Sequence, residues 1–294
     1  MAPSEISAVK QRLGDYWVLI RPRIVGLVLF TMAVAALAAS RHVPPWPLLL
    51  NALLGTGLVI VGAVALNQSM ERHTDALMLR TLRRPLPSGR LTKTQVVVFG
   101  VLTSLAGLVY LARLVNTPTV VLAALSWVIY VWIYTPLKPF TTWQTPIGAV
   151  AGAMPALLGA AAAGASTGTV GLVLFGIVFF WQFPHSMAIA WIYRAEFAAA
   201  DLKVATVVDP SGRTAGWIGL VGAVALMLVS VIPTLCGPLG WGYGVTALAL
   251  SGWYLAASMD FLLHTNDTAA RRLLHVSIVY LTVLLVVLLI AARI

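Results

Sequence analysis

The sequence predicts an all-α, polytopic membrane protein of about nine transmembrane helices. Three observations carry the prediction. Of the 294 residues, 60% are hydrophobic and only 10% charged, against roughly 25% charged in average soluble domains. The apolar residues form long unbroken runs rather than the short alternating segments of a membrane β-barrel. The basic residues, finally, are distributed asymmetrically about those runs. This composition excludes a soluble enzyme, a disordered chain and a fibrous repeat. The single cysteine, Cys236, excludes an internal disulfide and any CxxC metal or redox motif.

Runs long enough to cross about 30 Å of hydrocarbon fall at 17–39, 46–69, 94–115, 118–136, 146–165, 168–192, 214–236, 239–261 and 273–292. The organisation is a cytoplasmic segment, 1–16, followed by one transmembrane domain, 17–294. The first run is too long for the apolar core of a cleaved signal peptide. Arg21 and Arg23 lie in its opening turns, so the hydrocarbon proper begins near Ile24. With the N-terminus inside, 16 of the 19 Lys and Arg residues are cytoplasmic, leaving Arg41, Arg113 and Arg293 opposite. That bias is what the positive-inside rule expects of nine spans. The acidic residues follow the same side, from Glu5 to Asp267. Topology and attraction to anionic lipid account for basic residues alone, but a face rich in both signs points to chemistry. Gly148, Gly152, Gly159 and Gly164 permit close helix packing, within one chain or between chains.

Asn67, Glu71 and Asp75 are spaced i, i+4, i+8, so all three share one helical face at the end of the second run. Carboxylates four apart repel one another on a helix and are poorly tolerated near a membrane unless a cation lies between them. Two carboxylates and an amide suit Mg²⁺ completed by ligand phosphates. Arg80, Arg83, Arg84 and Arg90 follow, a cluster able to grip an anion bidentately. The competing reading is a solvated helix end, with Arg72 and Asp75 paired and a later Arg folded back on Glu71.

A second polar segment ends the sixth run: Trp181-Gln-Phe-Pro-His185, then Tyr193-Arg194-Ala-Glu196 and Asp201. Pro184 frees a backbone carbonyl inside a span. His185, intramembrane and ionisable, is a site candidate by default; equally, it fits a neutral histidine bonded to a neighbouring helix. The two segments follow spans four apart, which permits a duplicated unit facing a shared cavity. Lys138, alone in its loop, either meets an anion or marks topology.

Taken together, these residues resemble the UbiA superfamily of intramembrane prenyltransferases, within it the protoheme IX farnesyltransferase (haem O synthase) family, over about residues 20–285. The likeness rests on Arg21-Pro-Arg-Ile, the first acidic motif with Met78, Arg80-Thr81 and Arg84-Pro85-Leu86, and Tyr134-Thr-Pro-Leu-Lys138. It continues through Ile147 to Pro155, Trp181-Gln-x-Pro-His185, Val207-Val-Asp-x-x-Gly212-Arg213-Thr214, and Ala270-Arg-Arg-Leu with Ser277 and Tyr280.

The resemblance implies farnesyl transfer from farnesyl diphosphate to a vinyl group of haem B, with water addition giving haem O. It implies Mg²⁺ as cofactor, haem B being a substrate. Asn67, Glu71, Asp75, Glu196 and Asp201 would form the metal sites, and Arg80, Arg84, Lys138 and Arg194 would be diphosphate partners. His185 would serve the haem or handle a proton, and Trp181, Trp191 and Tyr193 would line the cavity. It also implies an active-site cavity facing the cytoplasm, a bacterial inner membrane and its lipid, and a downstream haem-modifying enzyme or oxidase assembly as a partner; basic residues dispersed over short loops argue against nucleic acid.

The second motif departs from the family pattern, because Ala195 stands where an acid is expected; Asp201 is the available replacement. Two other functions compete. One is prenyl transfer to an aromatic or quinone-precursor acceptor, against which Trp181 to His185 and Arg271-Arg272 favour haem. The other is a cation-coupled transporter, against which the acids cluster at one face rather than at the midplane.

Overall fold

The computed structural model describes residues 3–40, 44–165, 168–237 and 239–292. Among them are nine helices long and apolar enough to cross a membrane, and no strand. Arg41 and Arg293, two of the three basic residues expected on the far side, lie outside the described residues; Arg113 sits in a helix's last turn at that side.

The first expected run is two helices. α1 (Pro3–Ile20) stops at Arg21, whose backbone is left-handed at φ 52°, and α2 (Pro22–Ala39) starts afresh. Pro22 causes the break: its ring excludes the preceding residue from the helical region and supplies no N–H. α3 (Trp46–Met70) follows. α4 (Lys93–Leu114) opens on a reciprocal cap between Thr92 and Gln95. In α5 (Thr117–Val128), Asn116 caps Thr119, and the helix runs on through a wide π turn, Ile129–Tyr134, to Leu137. α6 (Gln144–Ala162), α7 (Thr169–Ile192), α8 (Arg213–Leu235), α9 (Trp241–His264) and α10 (Asp267–Ala291) complete the bundle. α10 begins earlier than its apolar run because Asn266 caps the Ala269 N–H, which draws Arg271 and Arg272 into the helix.

Packing is that of a membrane bundle. Large apolar side chains such as Leu102, Val109, Val221 and Leu228 face outward, and small residues let backbones meet. A Cβ on Gly62 of α3 would fall 2.5 Å from the Gly100 carbonyl of α4, and one on Gly159 of α6 would fall 2.1 Å from the Met32 carbonyl of α2. The glycine-rich stretch therefore packs within the chain. α7 to α10 enclose one core around Tyr254, Phe261 and Tyr280. A smaller core joins α2 to α6 around Val59, Leu111 and Leu158. Between α2, α3, α5, α6 and α7 lies a cavity of about 430 Å³.

Candidate active site

The i, i+4, i+8 face survives although α3 ends at Met70. The Glu71 N–H donates to the Asn67 carbonyl and the Asp75 N–H to the Glu71 carbonyl, at 2.9 and 2.8 Å. Helical register thus continues through the short turn Arg72–Asp75, and Asn67, Glu71 and Asp75 all line the cavity. Neither carboxylate pairs with Arg72. Asp75 Oδ2 accepts from Arg84 Nη1 at 2.6 Å, and Lys138 Nζ lies 2.5 Å from Glu71 Oε1. Thr81 Oγ1 donates to the Asp75 carbonyl at 2.7 Å, folding the loop so that Arg84 returns to the cavity.

Four cations, Arg21, Arg80, Arg84 and Lys138, face two carboxylates on the cavity wall. The surplus is positive, so the site is built for an anion. Burial raises the Asp75 carboxyl above its usual range, against the pull of Arg84. Burial lowers Arg21 and Arg80, and the nearby charge of Arg84 lowers both further. For Lys138, burial works downward, but the Glu71 carboxylate outweighs it and holds the ammonium above its usual range. Tyr134 supplies a ring 4.4 Å from Lys138 Nζ and stacks on Tyr130 at 5.4 Å. Below this polar mouth the wall becomes apolar, with Val28, Val59, Ala123 and Leu158.

Among the described residues, no three His, Cys, Asp or Glu side chains gather into a metal cluster. The donor set is two carboxylates and the Asn67 amide, and among the described residues no donor other than Lys138 reaches the buried Glu71 Oε1. That set fits Mg²⁺, which takes one or two carboxylates and leaves its remaining positions to water and phosphate oxygens.

The other expected site residues divide. Glu196 reaches the rim, where its Oε2 accepts the Arg80 N–H at 3.1 Å, and Arg80 lies over the Tyr193 and Phe197 rings. Asp201 points outward, 84% exposed and paired with Lys203, so it does not fill the place left by Ala195. Arg194 turns away to Asp267 and the Trp191 carbonyl. His185 faces α10, where Nδ1 meets Ser277 Oγ at 2.7 Å and the ring stacks on Trp181; it does not line the cavity. The reason is helical phase: α7 presents Gln182, Ser186 and Ile189 to the cavity, and Trp181 and His185 lie one position off. Trp181, Trp191 and Tyr193 are likewise absent from the wall, whose aromatic residues are Trp127, Tyr130, Tyr134 and Phe197.

Sequence reasoning left Arg21, Tyr130 and Gln182 without roles. Arg21 carried a signal, a cation directly before a proline at a helix start. Tyr130 and Gln182 carried none, because apolar periodicity does not reveal a π turn or which side of a buried helix meets a cavity.

Residues 28–291 match the UbiA prenyltransferase family. A protoheme IX farnesyltransferase of Opitutus terrae is 39% identical over 285 residues, covering 96% of this chain and 96% of its own. The solved structure of a digeranylgeranylglyceryl phosphate synthase superposes with a TM-score of 0.81 at 15% identity, over 96% of this chain and 99% of that one. A UbiA homologue from Archaeoglobus fulgidus, bound to DMAPP and Mg²⁺, gives 0.63 at 14%, over 93% and 99%. At such low identity these two structures speak for the fold alone.

Proposed function

The chain belongs to the UbiA prenyltransferase family, and from that premise we propose that it transfers a farnesyl group from farnesyl diphosphate to a vinyl carbon of haem B, giving haem O. The observation that carries the transfer is the cavity mouth, where Asn67, Glu71 and Asp75 stand against Arg21, Arg80, Arg84 and Lys138 above an apolar interior. The acceptor rests on the relatives' names, because neither Trp181 nor His185, nor Arg271 or Arg272, lines the cavity.

Each residue has a task. Asn67, Glu71 and Asp75 would hold Mg²⁺, which when bound neutralises charge building on the diphosphate. Arg21, Arg80, Arg84 and Lys138 bind the diphosphate oxygens and stabilise them as the C1–O bond breaks and the electron pair leaves with diphosphate. Glu196 holds the Arg80 loop at the rim. Val28, Val59, Ala123 and Leu158 take the isoprenoid and keep bulk water from the allylic cation. The vinyl π electrons then form the new carbon–carbon bond. Water adds its oxygen to the resulting benzylic-type cation and loses a proton, so farnesyl diphosphate, haem B and water become haem O and diphosphate.

The chain is an integral, multi-pass membrane protein; the basic bias supports a cytoplasmic N-terminus and cavity mouth, in a bacterial inner membrane. A cation-coupled transporter is disfavoured, since the carboxylates lie at one end of the bundle. The test is mass spectrometry of haems extracted from membranes expressing the chain and supplied with haem B, farnesyl diphosphate and Mg²⁺. A haem heavier by a farnesyl group plus a hydroxyl is expected. Diphosphate release onto a different acceptor would keep the prenyl transfer and refute the haem assignment.

A further inference from the structure

Asn67 is 1% exposed and Thr135, its partner across the α3–α5 contact, 4%. Asn67 Nδ2 donates to Thr135 Oγ1 at 2.9 Å, and Thr135 Oγ1 donates its own proton to the Tyr130 carbonyl at 2.8 Å. A threonine hydroxyl has one proton. With that proton committed to Tyr130, Oγ1 can only accept, so the end of the Asn67 amide facing it must be NH₂. The carbonyl end, Oδ1, is thereby turned away from Thr135, and no donor among the described residues reaches it. Asn67 itself lines the cavity one helical turn from Glu71.

The π turn makes this arrangement available. In an α-helix the Tyr130 carbonyl would take the N–H four residues on; here it takes the N–H of Thr135, five residues on, and the Thr135 hydroxyl with it. Single π turns inside α-helices gather at functional sites, and this one places an obligate acceptor opposite Asn67.

We propose that Thr135 is a positioning residue: through the π turn its hydroxyl fixes the amide orientation of Asn67, leaving Oδ1 as a preset oxygen ligand for the divalent cation. The inference rests on the reading above, that Asn67, Glu71 and Asp75 hold that cation. It differs from a plain interhelical tie, which would steady α3 against α5 without caring which end of the amide faces the cavity.

The test measures Mn²⁺ binding to the purified full chain, without prenyl substrate, from the free-ion EPR signal. Thr135→Val is expected to weaken Mn²⁺ affinity by about 10- to 100-fold, the range for losing a group that orients a ligand, while Thr135→Ser binds as the parent does. Thr135→Ala removes the same hydroxyl should the valine fail to fold. In an Asn67→Asp background, whose carboxylate offers oxygen at both ends, Thr135→Val is expected to change affinity little. Parental affinity in Thr135→Val or Thr135→Ala overturns the proposal, as does equal loss in the serine variant or equal loss in both backgrounds. Asp75→Asn separates the two claims. If it loses Mn²⁺ while Thr135→Val does not, the positioning role alone falls; if neither loses Mn²⁺, the cation is held elsewhere and both fall.

Discussion

Lys138 Nζ stands 2.5 Å from Glu71 Oε1, so the residue that follows the α5 segment is paired with the residue that follows α3. A cation proposed for the diphosphate is thus held by a carboxylate proposed for the metal. A diphosphate and a divalent cation arriving together can replace the pair without leaving either charge unmatched.

Removing one partner of that pair should therefore cost more than removing both. Lys138→Met is expected to lower stability by about 1–3 kcal/mol, the penalty for a buried group left unpaired, and to raise the KM for farnesyl diphosphate. Adding Glu71→Gln should restore the melting temperature and not the turnover. Thermal unfolding in detergent, set beside steady-state kinetics, checks both.

Asp75 should give activity and stability opposite responses to acid. Its folded pKa lies above its ordinary value because of burial, so in the window between the two the folded chain binds more protons than the unfolded one. Stability then falls as pH rises through that window and recovers on acidification, whereas cation binding needs the ionised form and fades. The acid limb of kcat/KM should accordingly lie above the usual carboxylate range. Asp75→Asn should lose the stability response and nearly all Mg²⁺-dependent turnover.

Two acidic residues of the second segment should separate cleanly. Asp201→Ala is expected to leave turnover within about twofold, since an exposed pair with Lys203 contributes little. Glu196→Ala frees the Arg80 backbone and should raise KM for the diphosphate more than it lowers kcat. Comparable losses in both variants would return Asp201 to the site.

Gly62→Val probes the α3–α4 seam. The new side chain would meet Ser104 and the Gly100 backbone, and overpacking of this kind costs about 1–3 kcal/mol or more. A lowered melting temperature is expected, with the KM of the folded fraction retained.

Much of the polar cavity mouth was legible in the sequence for a local reason. Asn67, Glu71 and Asp75 share a face by helical geometry alone, and α3 keeps that register past its own end. Arg80 and Arg84 were legible as a cluster able to grip an anion, while Lys138 stood open between meeting an anion and marking topology. His185 lies off the cavity wall because Gln182 and Ser186 hold the cavity face of α7, and its ring meets Ser277 of α10 instead. Asp201 points outward to Lys203, a direction that chain proximity to Ala195 does not specify.

What the sequence determined by itself was the number of spans and the gathering of both signs of charge at their ends, since hydrocarbon admits only long apolar helices and tolerates charge at few places. The break at Arg21 was not read from the sequence, although Pro22 is its cause. Only the tertiary structure decided which cation meets which carboxylate, which side of α7 faces the cavity, and that a π turn sets Thr135 against Asn67. Those depend on helix rotation and on contacts between residues as far apart as 67 and 135, and local propensity specifies neither.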